Sequence, residues 1–198
     1  LVLRAVADEL RAALVGGRIQ RVTQPEPCEL RVVVRRASAN SLLLLNCDPT
    51  WARAHLTNTR APNPKDAHAF CMICRKYLEG GTIVAVAQRG FDRVLDIDVR
   101  GPGDVPVRLV GEFMGRRGNL ILVEGGGTIL DAAKRISRAV NRHRQISPGI
   151  EYVGPPEQTG RLDPLSSSDA EVATVLAEMP ADPEAAASWL STRFQGVS

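Results

Sequence analysis

Apolar residues recur along this chain with two periods. In "LVLRAVADELRAALVGG", Leu3, Val6, Leu10, Ala13 and Leu14 share one helical face and the run stops at Gly16-Gly17, which predicts an amphipathic helix over 1–15 with a glycine terminus. Short β-rich runs follow, "RIQRVTQP", "CELRVVVRRA" and "SLLLLNC", broken by Pro25, Pro27 and Asn40-Ser41. "WARAHLT" reads as a short strand before the Pro-Asn-Pro loop at 62–64, and "AFCMICRKYLEGG" returns to the helical period, predicting a helix over 66–79. From 82 onward come "TIVAVAQ", "DRVLDIDV", "VPVRLVGEF", "NLILVE" and "TILDAA", separated by short turns rich in glycine. Strands this close together suit antiparallel hairpins, because a parallel crossover needs a dozen residues or more. The pattern therefore predicts an α+β fold, an antiparallel β-sandwich flanked by helices.

After 145 the composition changes. Pro148, Pro155, Pro156 and Pro164 punctuate the chain. "SDAEVATVLAEM" then opens with a capping box from Ser168 to Glu171, and "DPEAAASWLSTRFQG" opens with Asp182 as cap and Pro183 at the first helical position. The expected organisation is a β-sandwich domain over 1–156, followed at 157–198 by a linker and the start of a truncated helical module.

One strand poses a problem. In "RGFDRVLDIDVRG", Leu95, Ile97 and Val99 form an apolar face, and strict alternation puts Arg93 on that same face beside Asp92. The next strand has its apolar residues at Val105, Val107, Leu109 and Phe113, so apolar matching requires paired numbers with an even sum; 204 and 206 both fit the Gly-Pro-Gly turn. Either register sets Asp92-Arg93 against the end of "GEFMGRRGN". The expected patch holds Asp92, Arg93, Glu112, Met114, Arg116, Arg117 and Asn119. An arginine beside carboxylates is a device for fixing a guanidinium toward phosphate or a base edge; a plain salt bridge at a sheet edge is the competing reading.

Charge strengthens this picture. The chain carries 25 Lys+Arg and 22 Asp+Glu, of which residues 151–198 hold only two of the basic and eight of the acidic residues. The basic part is dominated by arginine, suited to nucleic acid, although a GC-rich coding sequence enriches arginine equally. "KRISRAVNRHR" at 134–144 has five basic residues and no acid, and its Arg138, Arg142 and Arg144 are candidates for backbone phosphate contacts.

Enzymatic signals are weak. Asp96 and Asp98 share a face, as charged residues on the polar side of a strand commonly do. His55, His68 and His143 have no metal-ligand spacing, and no nucleophile elbow or P-loop occurs. Cys71 and Cys74 form a C-x-x-C on a helical pattern with no second pair to complete a zinc site, so they read as small buried hydrophobes in a reducing, cytosolic setting. No catalytic residue, metal or cofactor is expected, no membrane span is present in the pattern, and no secretory leader is recognised at the front.

Several segments together resemble the N-terminal domain of the NFACT family: "ELRAALVGGRIQRVTQP", "WARAHLT", "FCMICRKYLEGG", "DR" at 92–93, "EFMGRRGNLILV" and "NRHRQISPGIEYVGPP", covering most of residues 1–156. "WLSTRFQGVS" is similar to the entry of the family's helix-hairpin-helix module. The resemblance implies a fold akin to the N-terminal domain of formamidopyrimidine-DNA glycosylases, whose catalytic proline and glutamate have no counterpart here. It implies a cytoplasmic role in ribosome-associated quality control: binding to an obstructed large ribosomal subunit with stalled peptidyl-tRNA, and recruitment of alanyl-tRNA for alanine tailing without mRNA. The family's Asp-Arg pair, important for tRNA handling, maps onto Asp92 and Arg93, with Glu112 to Arg116 as the neighbouring element. Gly118 stands where a serine often precedes the asparagine. A rival function, attached to an older name of the family, is a fibronectin-binding surface adhesin.

Overall fold

The computed structural model describes residues 2–141, 144–156, 160–164 and 166–197, so Arg142 of the expected basic track lies outside the described residues. The described chain divides into two compact units, a larger one of residues 2–89 and 93–153 and a smaller one of 90–92 and 154 onward.

In the larger unit, helix α1 (Val2–Leu14) precedes strands β1 (Arg18–Glu26), β2 (Glu29–Arg36), β3 (Ala39–Asn46) and β4 (Arg53–Thr57). Helix α2 (Ala69–Leu78) leads into β5 (Thr82–Gln88), β6 (Val94–Arg100), β7 (Pro106–Glu112), β8 (Asn119–Glu124) and β9 (Ile129–Ala132). All nine strands form one antiparallel sheet in the order β4-β3-β2-β1-β5-β6-β7-β8-β9. The two expected layers are the halves of this sheet, β1–β4 and β5–β9, continuous through the single pair Arg18↔Thr82.

Both halves feed one apolar cluster. Leu30, Val32, Leu43 and Leu45 come from the first half, Leu95, Ile97, Leu109 and Leu122 from the second, and Leu10 and Leu14 of α1 and Phe70 and Leu78 of α2 complete it. The face of α1 read from periodicity is the one turned to this cluster, with Leu10 and Leu14 buried and Leu3, Val6 and Ala13 packed against it. Cys71 and Cys74 lie inside as well, at 1% and 0% exposure, and burial raises both thiols above their ordinary range, which leaves them as unreactive packing groups. A second, smaller cluster of Val94, Val110, Ile121, Val123, Ile129, Ala132 and Ile146 covers the other face of the β6–β9 half.

Two strand starts differ from the alternation pattern. β6 begins at Val94, because the β5–β6 hairpin closes with Arg89 N donating to Val94 O at 3.0 Å, and the chain from Gly90 to Arg93 forms the turn. Arg93 is therefore exposed and does not lie on the apolar face. β4 begins at Arg53, leaving Trp51 in a turn, 67% exposed.

The smaller unit holds helices α3 (Asp169–Leu176) and α4 (Pro183–Arg193). Ser168 and Glu171 form the capping box, with Glu171 N donating to Ser168 Oγ at 3.3 Å and Ser168 N to Glu171 Oε2 at 2.8 Å. Asp182 caps α4 through Ala185 N at 2.9 Å. Leu162 bridges to Phe194, which is buried, and Phe91 packs so closely on Gly196 that a Cβ there would lie 2.6 Å from its ring.

Candidate nucleic-acid interface

The β6–β7 register places Val94 opposite Glu112 and Ile97 opposite Leu109, the paired sum of 206. Beyond the last pair, Phe113 N donates to Arg93 O at 2.8 Å. This bond sets Arg93 beside the start of the 114–118 loop, as the sequence reading required. Gly115, with φ at +56°, opens a short 3-10 turn through Arg117, a left-handed conformation that glycine adopts without penalty. Gly118 is tightly packed: a Cβ would lie 3.0 Å from Glu112 O and 3.1 Å from Cys47 O, so the surrounding backbone would have to give slightly to admit one. The glycine at this position is thus compatible with a tight loop.

Asn119 and Lys134 fix the loop from below. Asn119 is fully buried; its Nδ2 donates to Lys134 O at 2.7 Å and its Oδ1 accepts from Lys134 N at 3.0 Å. Lys134 Nζ in turn donates to Gly118 O and Cys47 O, both at 2.9 Å. That ammonium ties the 114–118 loop to the neighbouring turn at 48–51, where Asp48 Oδ1 accepts from Thr50 N and Trp51 N at 2.9 and 3.2 Å. Trp51 is thus held by its backbone while most of its indole faces solvent. Arg53 Nη1 donates to Trp51 O at 2.9 Å.

Behind the loop lies a buried polar network that alternation alone did not reveal. Glu112 has no exposed surface. Both its oxygens accept from the Arg144 guanidinium, Oε2 from Nη1 at 2.9 Å and Oε1 from Nη2, and Oε1 also accepts from the Tyr152 hydroxyl at 2.8 Å. Arg144 Nε donates further to Val153 O at 2.6 Å. Tyr152 accepts a weaker bond from Arg89 at 3.4 Å, and Arg89 forks onto Asp96 at 2.8 and 3.1 Å. Both guanidiniums sit over the Tyr152 ring, at 5.4 and 5.5 Å. Burial, then the charge of Glu112, raises the Tyr152 hydroxyl well above its ordinary range. Desolvation works against the Arg144 cation, but the hydrogen bond and charge of Glu112 outweigh it and raise its pKa.

The expected patch is therefore two layers. Glu112 and Asn119 are interior groups that face no solvent, and Met114 is half-buried against the smaller apolar cluster. Arg144, expected on the phosphate track, is turned inward, its side chain 14% exposed. Arg93, Arg116, Arg117 and Arg138 are exposed, and none of their side chains meets a hydrogen-bond or ion-pair partner among the described residues. Asp92 is half-buried and engaged in an interaction of its own. Asp96 and Asp98 are each engaged by an arginine, Arg89 and Arg108, at 2.8 and 2.6 Å.

The fold and the 93–119 segment define a class, and comparison with known proteins gives it a name: the chain belongs to the NFACT family, matching the model for its N-terminal and middle domains over residues 1–198. Among curated relatives, Rqc2 homolog RqcH of Bacillus subtilis is 35% identical over 84% of this chain and 30% of its own length. The RqcH of Streptococcus pneumoniae is 32% identical over 98% of this chain and 35% of its own length. The human ribosome quality control complex subunit NEMF is 30% identical over 65% of this chain and 12% of its own. The chain thus spans about a third of the bacterial relatives' length. Among solved structures, the N-terminal domain of fibronectin-binding protein PavA from Streptococcus pneumoniae superposes with a TM-score of 0.90 at 32% identity, over 100% of this chain and 74% of that one.

Proposed function

We infer that this chain is the tRNA- and ribosome-contacting N-terminal part of a ribosome quality control factor. Its RNA surface is formed by Arg93, Arg116 and Arg117, with Arg138 as a further phosphate contact. The observation that carries this reading is the exposure of these four arginines, none with a hydrogen-bond or ion-pair partner among the described residues, with Arg116 and Arg117 on a loop braced from below by Asn119 and Lys134. A guanidinium with no internal partner keeps all its donors available for phosphate or a base edge, and a braced loop fixes where it starts from. Trp51, on the adjoining turn, adds an aromatic face on which an unpaired base stacks. Glu112, Arg144 and Tyr152 keep the β7 end and the chain around Val153 in register and make no RNA contact themselves.

In this reading the family role applies. The cytoplasmic full-length protein binds an obstructed large subunit with stalled peptidyl-tRNA and recruits alanyl-tRNA for alanine tailing, and this part performs no chemical step. The names of relatives point to ribosome quality control. The test is tRNA affinity of the wild type, Arg93→Gln and Arg116→Gln/Arg117→Gln at one salt concentration, with melting curves alongside. Both variants are expected to melt as the wild type does and to bind at least about tenfold more weakly. Wild-type affinity in both overturns the assignment, and saturable fibronectin binding without tRNA binding favours the adhesin.

A further inference from the structure

The outward face of the β1–β4 half carries a cleft of about 360 Å³ whose lining the RNA reading does not use. Strand pairing sets Arg21 opposite Val33 and Thr23 opposite Arg31, so Arg21 and Arg31 point to one side while Val22 and Val32 point into the core. The loop after β4 closes the other wall. Arg21, Arg31 and Arg60 line the cleft together with Ser41, Asn58 and Asn63, and no residue along it is acidic.

The three arginines are not equivalent. Arg31 is fixed: its Nε donates to Glu29 Oε1 at 2.7 Å and its Nη1 to Thr59 O at 2.5 Å, while the other oxygen of Glu29 accepts from Asn46 at 3.2 Å. Glu29 and Asn46 are buried, 7% and 8% exposed, so Arg31 enters the cleft on a rigid support that also ties the 58–63 loop to the sheet. Arg21 and Arg60 are exposed and have no hydrogen-bond or ion-pair partner among the described residues. Two unneutralised guanidiniums beside a third, with amide and hydroxyl donors between them, match a multiply charged oxyanion better than a single carboxylate. The volume falls at the lower end of the range for small-ligand sites.

We propose that this cleft is a phosphate-binding site, taking phosphate oxygens supplied either by a free diphosphate or by the phosphodiesters of an RNA backbone. The site does not rest on the tRNA reading of the 93–119 surface, since its chemistry requires phosphate alone. The experiment titrates the 198-residue chain calorimetrically with inorganic pyrophosphate in one arm and a short oligouridylate in the other. It uses the wild type, Arg21→Gln/Arg60→Gln, and Arg4→Gln/Arg18→Gln, two exposed arginines outside the cleft and outside the 93–119 surface, as the control for general charge loss. Because the cleft arginines to be replaced are exposed and unpartnered, melting is expected to be unchanged. Saturable one-to-one pyrophosphate binding that weakens at least about tenfold in the Arg21/Arg60 variant and not in the control supports the site with a free phosphate ligand. A selective loss confined to oligouridylate supports it with a backbone phosphate. Equal losses in the two variants, or no loss of either probe in the Arg21/Arg60 variant, overturn it.

Discussion

Arg144 and the pair Arg116-Arg117 lie within 28 residues of one another in the same basic region, yet they do opposite things. Arg144 is drawn inside by Glu112 and Tyr152, with its Nε on Val153 O. Arg116 and Arg117 stand on a glycine-bounded loop with no acidic neighbour in hydrogen-bond reach among the described residues. The difference shows that a run of positive charge is not itself a binding surface. A buried carboxylate converts an arginine into a structural strut, and only arginines without such a partner remain to meet an external anion.

The sharpest break of this comparison is Glu112→Ala or Arg144→Ala. Each leaves one buried charge unpaired, and each is expected to lower stability by about 3–5 kcal/mol, read from denaturant unfolding. The Glu112→Ala/Arg144→Ala double variant should lose less than the sum of the two, because neither charge is then orphaned. By contrast, Arg116→Gln should leave stability within about 0.5 kcal/mol of wild type, as an exposed substitution does. A loss of similar size at Arg116 and Arg144 would erase the distinction.

A second way to sharpen it is alkaline titration of stability. Cys47 and Tyr152 are neutral when protonated, and burial holds the proton on both more tightly in the folded chain than in the unfolded one. Their contribution is fully present below the ordinary values of 9.0 and 10.0 and is lost above them, with Cys47 pushed up to about 12. Stability should therefore begin to fall above pH 9. Cys47→Ala should flatten the first part of that fall and Tyr152→Phe the later part, where an ionised tyrosine would face Glu112. A pH profile identical in Tyr152→Phe and wild type would show that the network does not sense the hydroxyl.

A modest effect is expected at the helix that carries the C-x-x-C. Cys71→Ala/Cys74→Ala should cost roughly 1 kcal/mol per site through lost packing, with tRNA affinity unchanged. Stoichiometric zinc in the wild type that disappears in this variant would replace the packing account with a metal site.

The strands and helices were readable because their apolar residues keep period along the chain: Leu95, Ile97 and Val99 in β6, and Leu10 and Leu14 in α1, are all in the core. The same rule narrowed the β6–β7 register to the sums 204 and 206, of which the sheet takes 206, and the capping box at Ser168 followed from local chemistry. Arg93 was misplaced because alternation was extended one residue past the hairpin closure at Arg89–Val94. The Glu112 network was invisible for a different reason. Its partners lie 32 and 40 residues away, and no local pattern distinguishes an inward arginine from an outward one. Trp51 was absorbed into a strand pattern, although its position in the turn leaves the indole in solvent.

The most direct test is the salt dependence of tRNA binding for the wild type, Arg93→Gln/Arg116→Gln/Arg117→Gln and Arg138→Gln. Each lost phosphate contact removes about 0.7 to 0.9 from the slope of log K against log salt. The account predicts a slope shallower by about two to three in the triple variant and by just under one in Arg138→Gln, with melting temperatures unchanged. An unaltered slope in the triple variant, with wild-type affinity, would contradict the claim that Arg93, Arg116 and Arg117 form the RNA surface.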